Sequence, residues 1–173
     1  MDIGDGVRDR RTTHERRPAG VGGHADRQPA RVRSHEWHTG SAKETDPASV
    51  SFELDFTCNR LGELRRMVSK GATEASLDSN RTGDLVLAIN ELATNSVRHA
   101  GGTGTLRMWR EGDTLLCDVI DRGHIQQQSV RLTPPDPTQV SGRGLWIVSQ
   151  LCDLVQIRSS CGHNVVRVHM RLT

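Results

Sequence analysis

The residues best suited to chemistry fall in three short stretches. In the first, Glu91 to Gly101 reads ELATNSVRHAG. Glu91 and Asn95 lie four residues apart, and Arg98 or His99 follows three or four further on, so a helix would carry them on one face. A carboxylate there could take a proton from an attacking hydroxyl. An amide oxygen is a hard ligand suited to Mg2+, which keeps several waters and borrows phosphate oxygens. The guanidinium of Arg98 could meet a phosphate. Taken alone, the same pattern also describes a wet helix face ending in cations.

The second stretch is Asp121-Arg122-Gly123, at the end of an apolar run. A carboxylate in that place can accept from an exocyclic amine, and a glycine lets a flat ring approach the backbone. A turn that merely ends a strand has the same composition. The third stretch is Ser141-Gly142-Arg143-Gly144-Leu145. Glycines at a helix start leave N–H groups and a favourable dipole facing a phosphate. This is neither the lysine-bearing GxxxxGK[ST] loop nor GxGxxG after a strand. A glycine-capped helix start is the plainer alternative.

The surrounding pattern predicts what must hold these stretches. Phe52, Leu54 and Phe56 alternate with polar residues, as in a half-buried strand. Asn59 is expected to cap a helix from about Arg60 to Ala75, with Leu61, Leu64, Met67 and Val68 on its apolar stripe. After a turn at 77–80, a second helix is expected from Arg81 to His99. Its core face is Leu85, Ala88, Ile89, Leu92, Ala93, Ser96 and Val97, and Gly101-Gly102 ends it. Strands over 104–110 and 114–121 meet at a Glu111-Gly112-Asp113 hairpin.

Residues 122–141 contain Pro134, Pro135 and Pro137 and fit no element. A segment that long in a compact domain reads as a lid or binding loop. A helix over 145–151 and strands over 154–159 and 165–172 complete the order, with a turn at 161–164. Val166, Val168 and Met170 alternate with Arg167, His169 and Arg171, predicting one buried and one wet face. The fold class expected is α+β: a two-layer sandwich whose mixed, mostly antiparallel sheet is covered on one side by helices.

Composition narrows the classes of function. In 173 residues the net charge is +2, so nothing demands nucleic acid or an anionic membrane. Tyrosine is absent and aromatics are 3% of residues, which disfavours a surface that stacks bases. The four cysteines, Cys58, Cys117, Cys152 and Cys161, have no metal-ligand spacing, and Cys117 reads as a core residue. No stretch is long and apolar enough to span a membrane, and the N-terminus has no signal-peptide core. A reduced, cytoplasmic protein is expected. Residues 1–49 are rich in Arg, Gly, Asp and His with almost no aliphatics, and are read as a disordered tail ahead of a domain over 50–173.

The order ELATN, then DRG, then GRGL resembles the N, G1 and G2 boxes of the GHKL ATPase superfamily, across the whole span from Phe52 to Leu172. The wording ELATNSVRHAGG and GRGLWIVSQLCD is similar to small actinobacterial anti-sigma regulatory proteins related to serine/threonine kinases. The resemblance implies a Bergerat ATP-binding fold with ATP and Mg2+ as cofactors. It implies that Asn95 holds the Mg2+ and that Glu91 is the general base. Arg98, or His99 in competition with it, would contact phosphate. Asp121 would take the adenine amine and Gly123 would admit the ring. Gly142, Gly144 and Leu145 would offer N–H groups to the phosphates, with Arg143 assisting or simply solvated. Residues 124–141 would be the lid.

The partners it implies are a sigma factor, an anti-sigma-factor antagonist and a second copy of the chain. One departure is Ile125, which stands where the first glycine-rich box often has its second glycine. Another is the lack of a helix pair carrying a phosphoacceptor histidine, which argues against a complete histidine kinase. Two other functions stay open. One is a non-catalytic module that uses ATP to order a protein-binding surface. The other is a detached catalytic domain serving a separate histidine-containing partner.

Overall fold

The structure, a computed structural model, describes residues 31–36, 51–123, 143–160 and 162–172. Along the chain these form β1 (Arg31–Glu36), β2 (Phe52–Thr57), α1 (Leu61–Glu74), α2 (Ser79–His99), β3 (Thr103–Glu111), β4 (Thr114–Asp121), α3 (Gly144–Leu151), β5 (Leu154–Ser160) and β6 (His163–Arg171). The strands make one sheet in the order β1-β5-β6-β4-β3-β2. Neighbouring strands are antiparallel except β1 and β5, which run parallel.

Alternate strand residues build one side of the sheet. Phe56, Leu106, Met108, Leu115, Cys117, Val119, Val155, Ile157, Val166, Val168 and Met170 share a single cluster with the buried faces of α1, α2 and α3. The helices contribute Leu64 and Val68 from α1, Leu85, Ile89 and Leu92 from α2, and Val148 from α3. Burying each large aliphatic side chain is worth roughly 1.5–3 kcal/mol. That outweighs the weak helix propensity of the Thr, Gly and Asn residues in α2. The expected α+β sandwich, helices on one side of a mostly antiparallel sheet, is the observed fold.

α2 is fastened at its start. Asp78 caps it, accepting from the N–H groups of Asn80 at 2.9 Å and Arg81 at 3.3 Å. Arg81, 9% exposed, pairs with Asp153, whose Oδ2 also accepts from the Arg171 N–H at 2.8 Å. The cap moves the helix start two residues earlier than expected. α2 ends ahead of Gly101, which has a φ of 85° and so takes the left-handed conformation that closes a helix.

Several expectations need correction. Asn59 does not cap α1: a 3-10 turn over Cys58–Arg60 precedes the helix, and Arg60 stands at the cap without a side-chain bond. The sheet face away from the helices is not simply wet. Trp109, Leu116 and Asp118 on it are 3%, 3% and 4% exposed, because β4 is a central strand. Finally, the reading of 1–49 as lacking any element fails over Arg31–Glu36, which is β1. The exposed edge of β5 supplies backbone partners to that strand, and such pairing needs no apolar alternation. The rest of 1–49 lies outside the described residues, as do Ile125, the lid segment 124–141 and Gly142.

Candidate functional site

α2 is the common wall of the site. Its polar face meets the start of α3, and its last turns meet the end of β4. At the first junction, a Cβ built on Gly144 would lie 2.7 Å from Asn95 Nδ2 and 3.5 Å from Glu91 Oε2. Real Cβ atoms do not come that close, so the bare glycine lets the α3 backbone settle against these two side chains. Glu91 and Asn95 are therefore on one face, as their spacing predicts, and both are half-buried. The first intrahelical bond of α3 runs from the Ile147 N–H to the Arg143 carbonyl at 2.9 Å. The amides of Gly144, Leu145 and Trp146 precede it and have no partner within the helix. They face the direction an anion would approach.

At the second junction, Asp121 ends β4 on the helix side of the sheet. Its Oδ2 accepts from Ser96 Oγ at 2.6 Å, and its Oδ1 accepts from the Gly123 N–H at 3.0 Å and from Asn164 Nδ2 at 2.9 Å. A Cβ on Gly123 would fall 2.7 Å from the Ala100 Cβ and 3.2 Å from its Cα. The turn after β4 thus approaches the α2 backbone only because residue 123 is glycine.

The remaining predicted residues are placed less decisively. Arg98 and His99 are exposed on the last turn of α2, where their charge suits the helix dipole. Among the described residues neither side chain makes a hydrogen bond or ion pair. Arg143 is exposed at the cap of α3, and its carbonyl closes the first turn. The Leu145 side chain packs on the core, so the group it can offer the site is its backbone amide. Two cavities against α1 contain none of the predicted site residues.

Three participants were not singled out from the sequence: Ser96, Asn164 and Ser159. Ser96 was assigned to the apolar face of α2, yet a buried hydroxyl must find a partner, and its partners are the Leu92 carbonyl at 3.2 Å and, closer, Asp121 at 2.6 Å. Asn164 was assigned to a turn. β6 begins at His163, so Asn164 is paired across the sheet with Asp121. Ser159 donates to its Oδ1 at 2.7 Å.

The arrangement fits a nucleotide. A carboxylate with acceptor capacity lies at a glycine-lined turn, and amides without an intrahelical partner lie beside an amide and a carboxylate side chain. Among the described residues no three His, Cys, Asp or Glu side chains cluster as a metal site.

A family model described as the histidine kinase-like ATPase domain matches residues 54–170. The chain belongs to that family, and with it to the GHKL superfamily. Among solved structures it is similar to the RsbU and RsbW domains of Rv1364c from Mycobacterium tuberculosis, at 21% identity and a TM-score of 0.52, over 70% of this chain. This chain spans 32% of the length of that one, and the likeness is one of fold. It is also similar to the Acinetobacter baumannii histidine kinase AdeS, at 12% identity and a TM-score of 0.47, over 70% of this chain and 68% of that one. A third is the catalytic domain of the histidine kinase ThkA, at 14% identity and a TM-score of 0.45, over 70% of this chain and 97% of that one. No curated protein matches the chain. Among the described residues no helix is long and apolar enough to cross a membrane.

Proposed function

We propose that the chain is a cytoplasmic, ATP-binding anti-sigma regulator that phosphorylates a serine or threonine of an antagonist protein, with residues 50–173 as the ATP-binding domain. The observation that carries this reading is the convergence on α2 of two junctions: Gly144 against Asn95 and Glu91, and Gly123 with Asp121 against Ala100 and Ser96. The anti-sigma assignment draws on the resemblance of the boxes and on the fold shared with a structure that contains an RsbW domain. The partners proposed are a sigma factor, its antagonist and a second copy of the chain.

When bound, ATP would supply the transferable phosphoryl group, and Mg2+ would neutralise the charge that develops on it. Asp121 accepts a hydrogen bond from the adenine amine, and Gly123 leaves room for the ring. Asn95 offers its amide oxygen to the metal. The amides of Gly144 and Leu145 would hold phosphate oxygens, as would that of Gly142, which lies outside the described residues, with Arg143 assisting and Arg98 or His99 at the end of the α2 face. Glu91 takes the proton of the acceptor hydroxyl as a new P–O bond forms and the bond to the β-phosphate oxygen breaks.

Labelled ATP with candidate antagonists is the direct test. Wild type should label an antagonist on an acid-stable site, and Glu91→Ala should keep nucleotide and lose transfer. If Glu91→Ala regulates as well as wild type, the chain is an ATP-ordered binding module instead. An acid-labile product would point to a detached histidine-kinase catalytic domain.

A further inference from the structure

The face of the sheet away from the helices is dry at its centre. An antiparallel sheet packed on one side commonly leaves the other to water. Here Trp109 on β3 and Leu116 on β4 are each 3% exposed, and Asp118 on β4 is 4% exposed. Neighbouring strands shield these residues from the sides, but not from above. Arg167 on β6 lies over the Trp109 ring, yet its own side chain is only 11% exposed. The cover therefore lies one layer further out than Arg167. Among the described residues no helix or strand lies over that centre, since α1, α2 and α3 pack on the opposite side and every strand is in the sheet.

Topology names the segment that passes there. β1 is at one edge of the sheet and β2 is at the other, so residues 37–51 must connect the two edges. Five strand spacings make that about 24 Å. Along the strands, Glu36 is in register with Ser159, Asn164 and Asp121, and Phe52 with Met108 and Cys117. Cys117 and Asp121 are four residues apart on β4, or about 13 Å, so the direct path is a diagonal of about 28 Å. The 16 steps from Glu36 to Phe52 reach at most about 53–58 Å. A path over the helices has to climb about 15 Å and come down again, which uses all of that reach. A path round either end of the sheet would leave the dry centre uncovered. A path over the outer face clears one layer of side chains and leaves slack. The dry residues lie in the same diagonal sense: the Arg167–Asp118 pair on β6 and β4 first, then Leu116 and Trp109 on β4 and β3.

We propose that residues 37–50 of the same chain occupy the outer face, running from the β5 side to the β2 side over Arg167, Asp118, Leu116 and Trp109. Their sequence, WHTGSAKETDPASV, suits that surface. Trp37 supplies a large apolar side chain to a patch holding Trp109 and Leu116. Gly40, Ser41 and Ala42 are small enough for a backbone to lie close to it. Glu44 and Asp46 bring acceptors to a face that carries Arg158 and Arg167. Residues 31–50 thereby become part of the folded unit. The outer face is withdrawn from protein partners, and the helix side with its site remains for them. Nothing in this depends on the nucleotide assignment.

Site-specific photo-cross-linking of the full chain, mapped by peptide mass spectrometry, tests this. Gln156 on β5 and Arg107 on β3 alternate with core residues and so face outward, on either side of the dry centre. Capture of residues 37–50 from Gln156→p-benzoylphenylalanine or Arg107→p-benzoylphenylalanine, at the mass of a monomer, is the expected result. Leu87→p-benzoylphenylalanine, at the exposed Leu87 of α2, should capture none of them. Capture at the mass of a dimer would assign the cover to a second copy and overturn the proposal. Capture from Leu87 instead, or no capture of 37–50 at all, would also overturn it. Hydroxyl-radical footprinting without any probe guards against a disturbed fold. Deleting residues 41–46 leaves 10 steps, about 33–36 Å, too few for the crossing and its clearance. Oxidation of Trp109 should rise several-fold in the deletion, while Trp146 on α3 keeps the wild-type rate. If Trp109 stays as protected as in wild type, something else covers it and the proposal fails.

Discussion

Two aspartates three residues apart on β4 are held in opposite ways. Asp118 faces away from the helices and is 4% exposed. Both its oxygens accept from one guanidinium, at 2.7 Å from Arg167 Nε and 2.8 Å from Nη2, and that guanidinium lies 4.8 Å from the Trp109 ring centre. Asp121 is on the helix side and is held by three neutral donors instead. A carboxylate forked by arginine has its charge compensated and its geometry closed. One held by neutral donors has no ion-pair partner and keeps an open acceptor position. The contrast separates a closed carboxylate from one with acceptor capacity to spare, as the proposed function requires of Asp121.

The largest effect should come from breaking the closed pair. Asp118→Ala leaves a buried guanidinium without its carboxylate, which typically costs about 3–5 kcal/mol. Denaturant unfolding should show that loss, while nucleotide affinity of the folded fraction stays at the wild-type value. Loss of ATP binding at unchanged stability would dissolve the distinction between the two acids. Asp121→Ala should behave the other way. We expect ATP affinity to fall at least about 100-fold, or ~2.7 kcal/mol, with a smaller stability loss of about 1–2 kcal/mol from the donors left without their acceptor.

The difference between these acids was partly legible in the chain. Asp121 stood out because it closes an apolar run just before a glycine, and Glu91 and Asn95 because a four-residue spacing means one thing on a helix. Asp118 drew no notice because its partner Arg167 is 49 residues away. Ser96 hid for a related reason. It is one residue past Asn95, hence round the helix among apolar neighbours, and its carboxylate partner is 25 residues distant. Asn164 was missed because a hairpin register is decided by pairing, and the strand begins two residues earlier than its apolar alternation suggested. β1 was invisible for a stronger reason: it is defined by the open edge it joins, not by its own pattern.

The phosphate end of the site differs again, since an absent side chain shapes it. Gly144→Ala would place a methyl 2.7 Å from Asn95 Nδ2. The atom it meets is the end of a side chain, so the amide would turn aside and the fold would lose little. We expect affinity for ATP in Mg2+ to drop roughly tenfold, about 1.4 kcal/mol, and affinity in chelator to drop less. Equal losses with and without Mg2+ would remove Asn95 from the metal's side of the argument and leave only a steric role for Gly144.

The smallest effect belongs to the neighbourhood of Asp118. On that face His169 Nε2 lies 3.1 Å from Gln156 Oε1. Burial lowers its pKa below the ordinary 6.5, and the Arg167 charge adds to the shift, as does Arg158, while Asp118 and Glu111 oppose it. The unfolded chain therefore takes up a proton at a higher pH than the folded one does. Stability from this group is complete above pH 6.5 and is lost as the pH falls through the lower, folded-state value. His169→Gln keeps a polar partner for Gln156 and cannot titrate. Unfolding free energies of wild type and variant, measured in parallel on acidification, should diverge in the variant's favour, because carboxylate contributions common to both cancel. A constant difference across that window would mean that burial on this face does not depress the His169 pKa.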